Sequence, residues 1–135
     1  IESSTTSADP HKLISMLFQG ALLAIANAKN QMLRKDTLAK GKSISHAISI
    51  IGEGLHASLD TSVEGQLVQD LSALYDYIVR RLIEATLENT AAILDEVTGI
   101  LTELQGAWDS IRPNNAQPFV QPQSAAKVQL VYGRG

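Results

Sequence analysis

Glu53 and His56 have the residue types and the spacing of a metal site carried on a helix. Helical bundles that bind two iron or manganese ions take such a Glu-x-x-His pair from each of two helices, together with two further glutamates. The other histidines, His11 and His46, have no glutamate three residues before them. Because the second pair is missing, the sequence predicts neither a metal site nor another cofactor, and a di-metal or ligand-binding bundle is kept as an alternative.

The orientation of this pair on its helix also argues against metal binding. With about 100° of rotation per residue, Glu53 falls roughly 160–180° and His56 roughly 100–120° away from the apolar stripe that should face the core. We therefore expect both side chains to face water, and we interpret His11 and His46 as surface residues too.

Signals for other chemistry are weak. The sequence has no glycine-rich phosphate loop and no strand-turn-helix elbow for a nucleophilic serine, and it contains no cysteine. Nucleic-acid binding would need a basic face with aromatic platforms, but the net charge is -3. No run of about 18 apolar residues could cross a membrane. We predict a protein that is not an enzyme, does not bind nucleic acid and does not insert into membranes.

Apolar residues recur with the spacing of amphipathic helices along most of the chain. The pattern predicts four helices, at about 10–34, 38–60, 62–88 and 90–111. Because the connections are short, consecutive helices should run antiparallel. The predicted fold is all-α, an antiparallel up-down four-helix bundle at residues 1–111. The remaining residues, 112–135, are rich in proline and glutamine and are expected to form a flexible tail.

Capping residues support the predicted helix starts. Asp9 can accept hydrogen bonds from the free amides of the first turn, and Pro10 has a preset φ and no N–H. Asp36 or Thr37 can cap the second helix, and residues 61–64 have the spacing of a capping box. Asn89 is the expected cap of the fourth helix, whose Trp108 we place in the core.

The apolar surface of the first three helices is broader than the stripe of an ordinary surface helix. On the second helix, small residues lie beside the core stripe, around Ile50 and Gly54. Such a face is either a shallow groove that receives a partner segment or a site of tight packing against a neighbouring helix of the same chain. The residues alone leave both explanations open.

Four stretches of the chain resemble the flagellar secretion chaperones of the FliS family, in an order and spacing similar to the family's along residues 1–111. They read Ser-Ala-x-Pro-His-x-Leu-Ile-x-Met-Leu-Phe-x-Gly-Ala at 7–21, Lys-Gly at 40–41 followed by Ala-Ile-Ser-Ile-Ile at 47–51, Gly-Leu at 54–55 with Ser-Leu-Asp at 58–60, and Leu-Ser-Ala-Leu-Tyr-Asp-Tyr-Ile-Val-Arg-Arg-Leu at 71–82. Each stretch alone is weak, but four in register form a specific signal.

The resemblance implies a cytoplasmic, non-catalytic chaperone of type III export. It would bind the disordered C-terminal region of flagellin, prevent premature polymerisation and deliver flagellin to the flagellar export gate in the membrane. A disordered segment loses entropy when it orders, so it must cover a large apolar surface to bind usefully. The residues that we expect to contact the partner are Ala47, Ile50, Gly54 and Ala57 on the second helix, Ile14, Phe18 and Leu22 on the first, and Val79 and Ile83 on the third.

The chain departs from the family pattern at its start. Members of the family usually carry a tyrosine-bearing segment that covers the groove in the free chaperone, and residues 1–9 contain no tyrosine. Either that segment lies upstream of Ile1 or this way of covering the groove is absent. The resemblance also does not account for residues 112–135. A structural homo-oligomer, in which the wide apolar faces pair with themselves, is the other alternative function.

Overall fold

The computed structural model describes residues 9–59 and 65–111. Within these residues the chain forms helices and no strands, which confirms the predicted all-α fold. The capping box at 61–64 and the tail at 112–135 lie outside the described residues. The helices are α1 (Pro10–Leu33), α2 (Thr37–Ser49), which continues as a π-helical segment (Ile50–His56), α3 (Gln66–Glu88) and α4 (Ala91–Ser110).

The starts of α1 and α2 are capped as the sequence predicts. A side-chain oxygen of Asp9 accepts a hydrogen bond of 3.1 Å from the N–H of Lys12, and Pro10 is the first helical residue. A side-chain oxygen of Asp36 accepts a hydrogen bond of 3.3 Å from the N–H of Ala39. In each case a donor of the first turn, which has no partner inside the helix, is satisfied locally.

The assignment of Asn89 as the cap of the fourth helix was wrong. Asn89 ends α3 in a left-handed conformation with φ 55°, and its N–H donates to the carbonyl of Ala85 at 2.9 Å. Asparagine tolerates this conformation better than most residues. Since α4 begins two residues later, the chain must reverse at once, and Thr90 takes the position before α4 without a capping hydrogen bond from its side chain.

Polar contacts at both ends of α1 and α4 show that these helices run antiparallel. At the start of α1, Nε2 of His11 lies 2.8 Å from the carbonyl oxygen of Trp108, and the Trp108 indole donates back to the His11 carbonyl at 2.9 Å. Near the other end, the Lys29 ammonium donates to Asp95 at 2.7 Å. The prediction that His11 is a surface residue was wrong, because its ring stacks on Trp108 with centroids 4.8 Å apart.

The core lies along the bundle axis and receives side chains from all four helices. Its fully buried members include Ile25 of α1, Ile44 of α2, Ile78 of α3 and Leu101 of α4. Trp108 is half-buried and packs against the edge of this core. The periodic apolar stripes therefore meet in the way that the sequence predicts.

Candidate partner-binding site

The two flanks of α2 differ, and the flank that faces α1 is closed. A Cβ placed on Gly54 would lie 3.0 Å from Cδ2 of Leu17, and one placed on Gly20 would lie 3.4 Å from Cδ1 of Ile50. Each helix thus inserts a large side chain over a glycine of the other. At Gly54 and Ile50 the small-residue face of α2 packs tightly against its neighbour. We call this contact, made by Leu17, Gly20, Ile50 and Gly54, the α1–α2 seam.

The flank of α2 that faces α3 is more open. Gly41, Ile48, Gly52 and His56 recur at spacings that place them on one face of α2, and His56 contacts α3. In the described part of the chain, a Cβ placed on Gly41 or on Gly52 would have no neighbouring atom within 4 Å. Ile48, between these glycines, is only half-buried.

The facing side of α3 carries apolar residues that are partly or largely exposed. Ser72 and Asp76 contact His56 and so mark the side of α3 that faces α2. Val79 and Ile83 continue that face at helical spacing; Val79 is half-buried and Ile83 is 46% exposed. Leu87, one turn further and 78% exposed, extends it. The α2–α3 groove is the surface formed by Gly41, Ile48, Gly52, Val79, Ile83 and Leu87.

Polar contacts hold the two walls of this groove at both of its ends. At one end, the Lys40 ammonium donates to the side-chain oxygen of Asn89 at 2.8 Å and to the carbonyl of Thr86 at 3.4 Å. Lys40 is only 4% exposed. A cation at this position is favoured because the carbonyls of the last turn of a helix carry partial negative charge.

At the other end of the groove, His56 joins α2 to α3. Its Nε2 lies 2.8 Å from Oγ of Ser72, and its Nδ1 lies 3.5 Å from a carboxylate oxygen of Asp76. Serine, histidine and aspartate in this order suggest an activated nucleophile. Ser72 lies inside α3, however, where the backbone N–H groups around it bond to carbonyls of the preceding turn and are not free to stabilise an oxyanion. The contact connects the two helices.

The metal-site alternative finds no support in the geometry of Glu53 and His56. Glu53 is exposed, as predicted, and accepts a hydrogen bond of 3.2 Å from Ser49 of its own helix. The prediction that His56 faces water was wrong, since it is half-buried against α3. The side chains of residues 9–59 and 65–111 form no cluster of three or more potential metal ligands.

The nine predicted contact residues do not form one surface. Phe18 and Ala47 are buried in the core. Phe18 and Leu22 lie on the same face of α1 as His11 and Ser15. His11 and Ser15 both bond to the end of α4, so this face of α1 is directed at α4 and not at α2. The remaining positions on α1 and α2 vary in exposure: Ile14, Ile50 and Gly54 are half-buried, and Ala57 is exposed.

Two of the nine, Val79 and Ile83, line the α2–α3 groove. Its other members, Gly41, Ile48, Gly52 and Leu87, were not predicted as contact residues. A signal for them exists in the sequence, because Gly41, Ile48 and Gly52 share a helix face and Leu87 follows Ile83 by one turn. A second apolar face, formed by Leu13, Met16 and Leu23 on α1, is also exposed.

The opposite side of α3, which faces α4, is polar. Glu96 accepts hydrogen bonds from the Tyr77 hydroxyl and from Nε of Arg81, and Arg81 also pairs with Glu84. The hydrogen bond to Glu96 raises the pKa of Tyr77, and the bonds from Tyr77 and Arg81 lower the pKa of Glu96. Burial raises the pKa of Tyr75, whose ring lies on another side of α3 with its centroid 6.1 Å from that of His56, to about 12. Ionic contacts therefore occupy this flank of α3, and the apolar groove occupies the other.

None of the helices in the described ranges is long and apolar enough to cross a membrane.

Comparisons with known proteins agree with the resemblance found in the sequence. The family model described as "Flagellar protein FliS" matches residues 1–115. The chain is similar to the flagellar secretion chaperone FliS of Salmonella typhimurium, with 45% identity over 113 residues that cover 84% of each chain. It is also similar to the chaperone FliSB of Pseudomonas aeruginosa, with 42% identity over 82% of this chain and 87% of that one, and to FliS of Bacillus subtilis, with 34% identity over 79% and 78%.

Proposed function

This chain belongs to the FliS family of flagellar proteins, and we propose that it is an export chaperone for flagellin. In this proposal it binds the C-terminal region of flagellin in the cytoplasm. Binding covers the apolar segments through which flagellin subunits would polymerise too early. The complex is then delivered to the flagellar type III export gate.

The observation that carries the proposal is the open α2–α3 groove. An amphipathic helix can lay its apolar face into such a groove, with the space above Gly41 and Gly52 allowing its backbone to come close. Ile48, Val79 and Ile83 then supply apolar contacts on both sides. An apolar side chain that passes from full exposure to full burial contributes about 1.5–3 kcal/mol, and the half-buried Ile48 and Val79 contribute correspondingly less. These gains offset the entropy lost when the segment orders.

The seven other predicted contact residues would take part in binding in different ways. Ala57 is exposed and can contact a partner directly. Ile14 and Leu22 are half-buried, and they would contact it at the edges of the bundle. Ile50 and Gly54 lie in the closed α1–α2 seam, so they would act indirectly by holding α2 in place. Phe18 and Ala47 would act from the core by supporting the residues above them.

Calorimetric titration with a peptide that covers the C-terminal helical region of flagellin tests this function. We expect one-to-one binding with a large negative heat-capacity change, the thermodynamic mark of apolar burial coupled to folding. A peptide of the same composition with its apolar residues moved off one helix face is the control and should not bind. Absence of binding by the active peptide would contradict the proposal. A stable dimer that the peptide does not dissociate would favour the homo-oligomer instead.

A further inference from the structure

The turn between α1 and α2 contains a lysine at a position where the backbone favours glycine. The N–H of Asp36 donates to the carbonyl of Gln31 at 2.8 Å, and the N–H of Lys35 donates to the carbonyl of Met32 at 3.1 Å. This pair of hydrogen bonds is the Schellman motif, in which a left-handed residue, usually glycine, follows the end of a helix. Lys35 takes that position with φ 61°. A side chain disfavours the left-handed backbone, so Lys35 is present at a cost to stability.

The charges of the bundle are segregated, and this turn lies in its basic part. Residues 29–42 contain five basic residues and one acidic residue, whereas the rest of residues 9–111 contains three basic and twelve acidic residues. Three of the five, Arg34, Lys35 and Lys42, are exposed. None of these three forms an ion pair with another described residue. The turn end of the bundle therefore carries a net positive charge, and the remainder carries a net negative charge.

Two highly exposed leucines flank the same turn. Leu33, the last residue of α1, is 65% exposed, and Leu38, in the first turn of α2, is 73% exposed. Lys42 follows Leu38 by one turn on the same face of α2. Exposed apolar side chains with a polar rim are typical of sites that contact proteins or membranes. We call the set formed by Leu33, Arg34, Lys35, Leu38 and Lys42 the basic turn surface.

The shape and charge of this surface favour a membrane of anionic lipids over a protein segment. A docked helix needs a groove with apolar walls, whereas Leu33 and Leu38 flank the convex end of a helix hairpin. Leucines at a convex end can enter the boundary between lipid headgroups and acyl chains. Each lysine or arginine near an anionic membrane strengthens binding by about fivefold. Because the rest of the bundle is acidic, repulsion from the same membrane orients the turn end towards it.

We propose that the basic turn surface attaches this protein peripherally and reversibly to membranes that contain anionic lipids. Leu33 and Leu38 enter the headgroup region, and Arg34, Lys35 and Lys42 pair with lipid phosphates. The bundle stands with its turn end on the membrane and its acidic remainder in solution. This surface shares no residue with the α2–α3 groove, so the inference holds whether or not the groove binds flagellin.

Co-sedimentation of the full chain with lipid vesicles tests the attachment. We expect binding to phosphatidylcholine vesicles that contain about one-third phosphatidylglycerol, and no binding to phosphatidylcholine alone, because the cations need anionic headgroups. Binding should weaken as the salt concentration rises, since salt screens the attraction. Absence of binding to the anionic vesicles, or equal binding to both compositions, would overturn the proposal.

A pair of leucine variants locates the contact. Leu38→Asp should lower the vesicle partition constant by at least about tenfold, because it removes an apolar contact and adds a negative charge at the lipid surface. Leu67, which is 69% exposed, lies in the first turn of α3 at the other end of the bundle. Leu67→Asp is therefore the matched control and should lower the constant less than about twofold, since its charge lies more than a Debye length from the lipid.

Two results with these variants would contradict the proposal. Equal losses of vesicle binding in Leu38→Asp and Leu67→Asp would show that the turn end is not the contact. Binding of the unchanged chain to soluble poly-glutamate, without binding to anionic vesicles, would assign the surface to an acidic protein segment.

The variant Lys35→Gly separates a role in membrane binding from a role in the fold. It should raise the urea midpoint of unfolding, because glycine suits the left-handed position that ends α1. It should also weaken binding to the anionic vesicles by about fivefold through the loss of one cation. A lysine that served only the fold would not give this pair of opposite changes, and unchanged vesicle binding would contradict its contact with lipid.

Tryptophan fluorescence gives the orientation of the bound protein. Trp108, the only tryptophan, bonds to His11 at the start of α1, and the helix from His11 to Leu33 is about 33 Å long at a rise of 1.5 Å per residue. Brominated lipid, which quenches on contact, should leave the emission of the unchanged chain intact. It should quench the emission that Leu38→Trp adds. Quenching of Trp108 in the unchanged chain would place the opposite end of the bundle on the membrane and overturn the proposal.

Discussion

The two flanks of α2 use glycine for opposite purposes. In the α1–α2 seam, Gly20 and Gly54 each receive a large side chain from the other helix, at 3.0–3.4 Å from where a Cβ would stand. In the α2–α3 groove, Gly41 and Gly52 have open space at the same position among the described residues. Glycine in a helix costs about 1 kcal/mol relative to alanine. In the seam, packing of Leu17 and Ile50 against the glycines offsets that cost. In the groove, the glycines leave the space above the helix backbone open.

The forces that hold the two contacts also differ. The seam is an interlock of Leu17 and Ile50 over glycines, and its strength comes from close packing. The groove is joined at its ends by hydrogen bonds of Lys40 and His56, with partly exposed apolar residues between them. A contact closed by packing contributes stability, whereas a contact joined only at its ends leaves apolar side chains partly exposed between them.

The largest expected effect is on binding at the groove. Ile83→Asp should weaken the affinity for the flagellin peptide by about 100-fold, or about 2.7 kcal/mol, because an apolar contact is replaced by a charge that must be desolvated. Isothermal calorimetry measures it. Leu23→Asp, which changes an exposed leucine on the far face of α1, is the matched control and should alter the affinity less than about twofold. Equal losses in both variants would show that the groove is not the binding site.

Substitution of two glycines within one helical turn, Gly52 and Gly54, tests the difference between the flanks. Gly54→Val should lower the free energy of unfolding by about 1–3 kcal/mol, because a Cβ on Gly54 would stand 3.0 Å from Cδ2 of Leu17 and a branched side chain would force Leu17 out of its packed position. Gly52→Val is the matched control, and it should leave stability unchanged or slightly raised, since valine has a better helix propensity than glycine. Urea denaturation followed by circular dichroism gives both values. Equal free energies of unfolding for the two variants would show that the seam is packed no more closely than the groove.

Loss of the contact between Lys40 and Asn89, at one end of the groove, should have a smaller effect on stability. Asn89→Ala should lower the free energy of unfolding by about 1–2 kcal/mol, because alanine disfavours the left-handed conformation and the buried Lys40 ammonium loses its side-chain acceptor. Asn89→Gly retains the backbone fit and isolates the second loss, so it should unfold between Asn89→Ala and the unchanged chain in urea. An Asn89→Gly variant as unstable as Asn89→Ala would assign the whole effect to Lys40.

The sequence predicts the fold well because helix periodicity is a local property. The apolar stripes to which the core residues Ile44, Ile78 and Leu101 belong follow from the spacing of apolar residues alone. Asn89 was predicted to start the fourth helix but ends the third, because asparagine suits both a helix start and a helix end. The left-handed conformation of Asn89 is required by the tight reversal into α4, and helix propensities carry no information about that reversal.

The candidate site was predicted only in part, because the partner of each apolar face is a tertiary property. Gly52 and Gly54 are two residues apart and look alike in the sequence, yet one faces open space and the other faces Leu17. The helical wheel identified Val79 and Ile83 as surplus to the core of α3. It could not show that α1 covers the neighbouring face of α2, nor that His11 stacks on Trp108 at the opposite end of the chain.

The smallest expected effect concerns the polar flank of α3 and its dependence on pH. Hydrogen bonds from Tyr77 and Arg81 lower the pKa of Glu96 in the folded protein. The carboxylate therefore stabilises the fold above its unfolded pKa of about 4.3, and this contribution is lost as the pH falls through the lower folded value. Glu96→Gln should lose less stability than the unchanged chain between pH 7 and pH 3, as measured by urea midpoints. Since Glu96 lies away from the groove, peptide affinity at pH 7 should stay the same, and a change in it would extend the binding surface to the α4 side of α3.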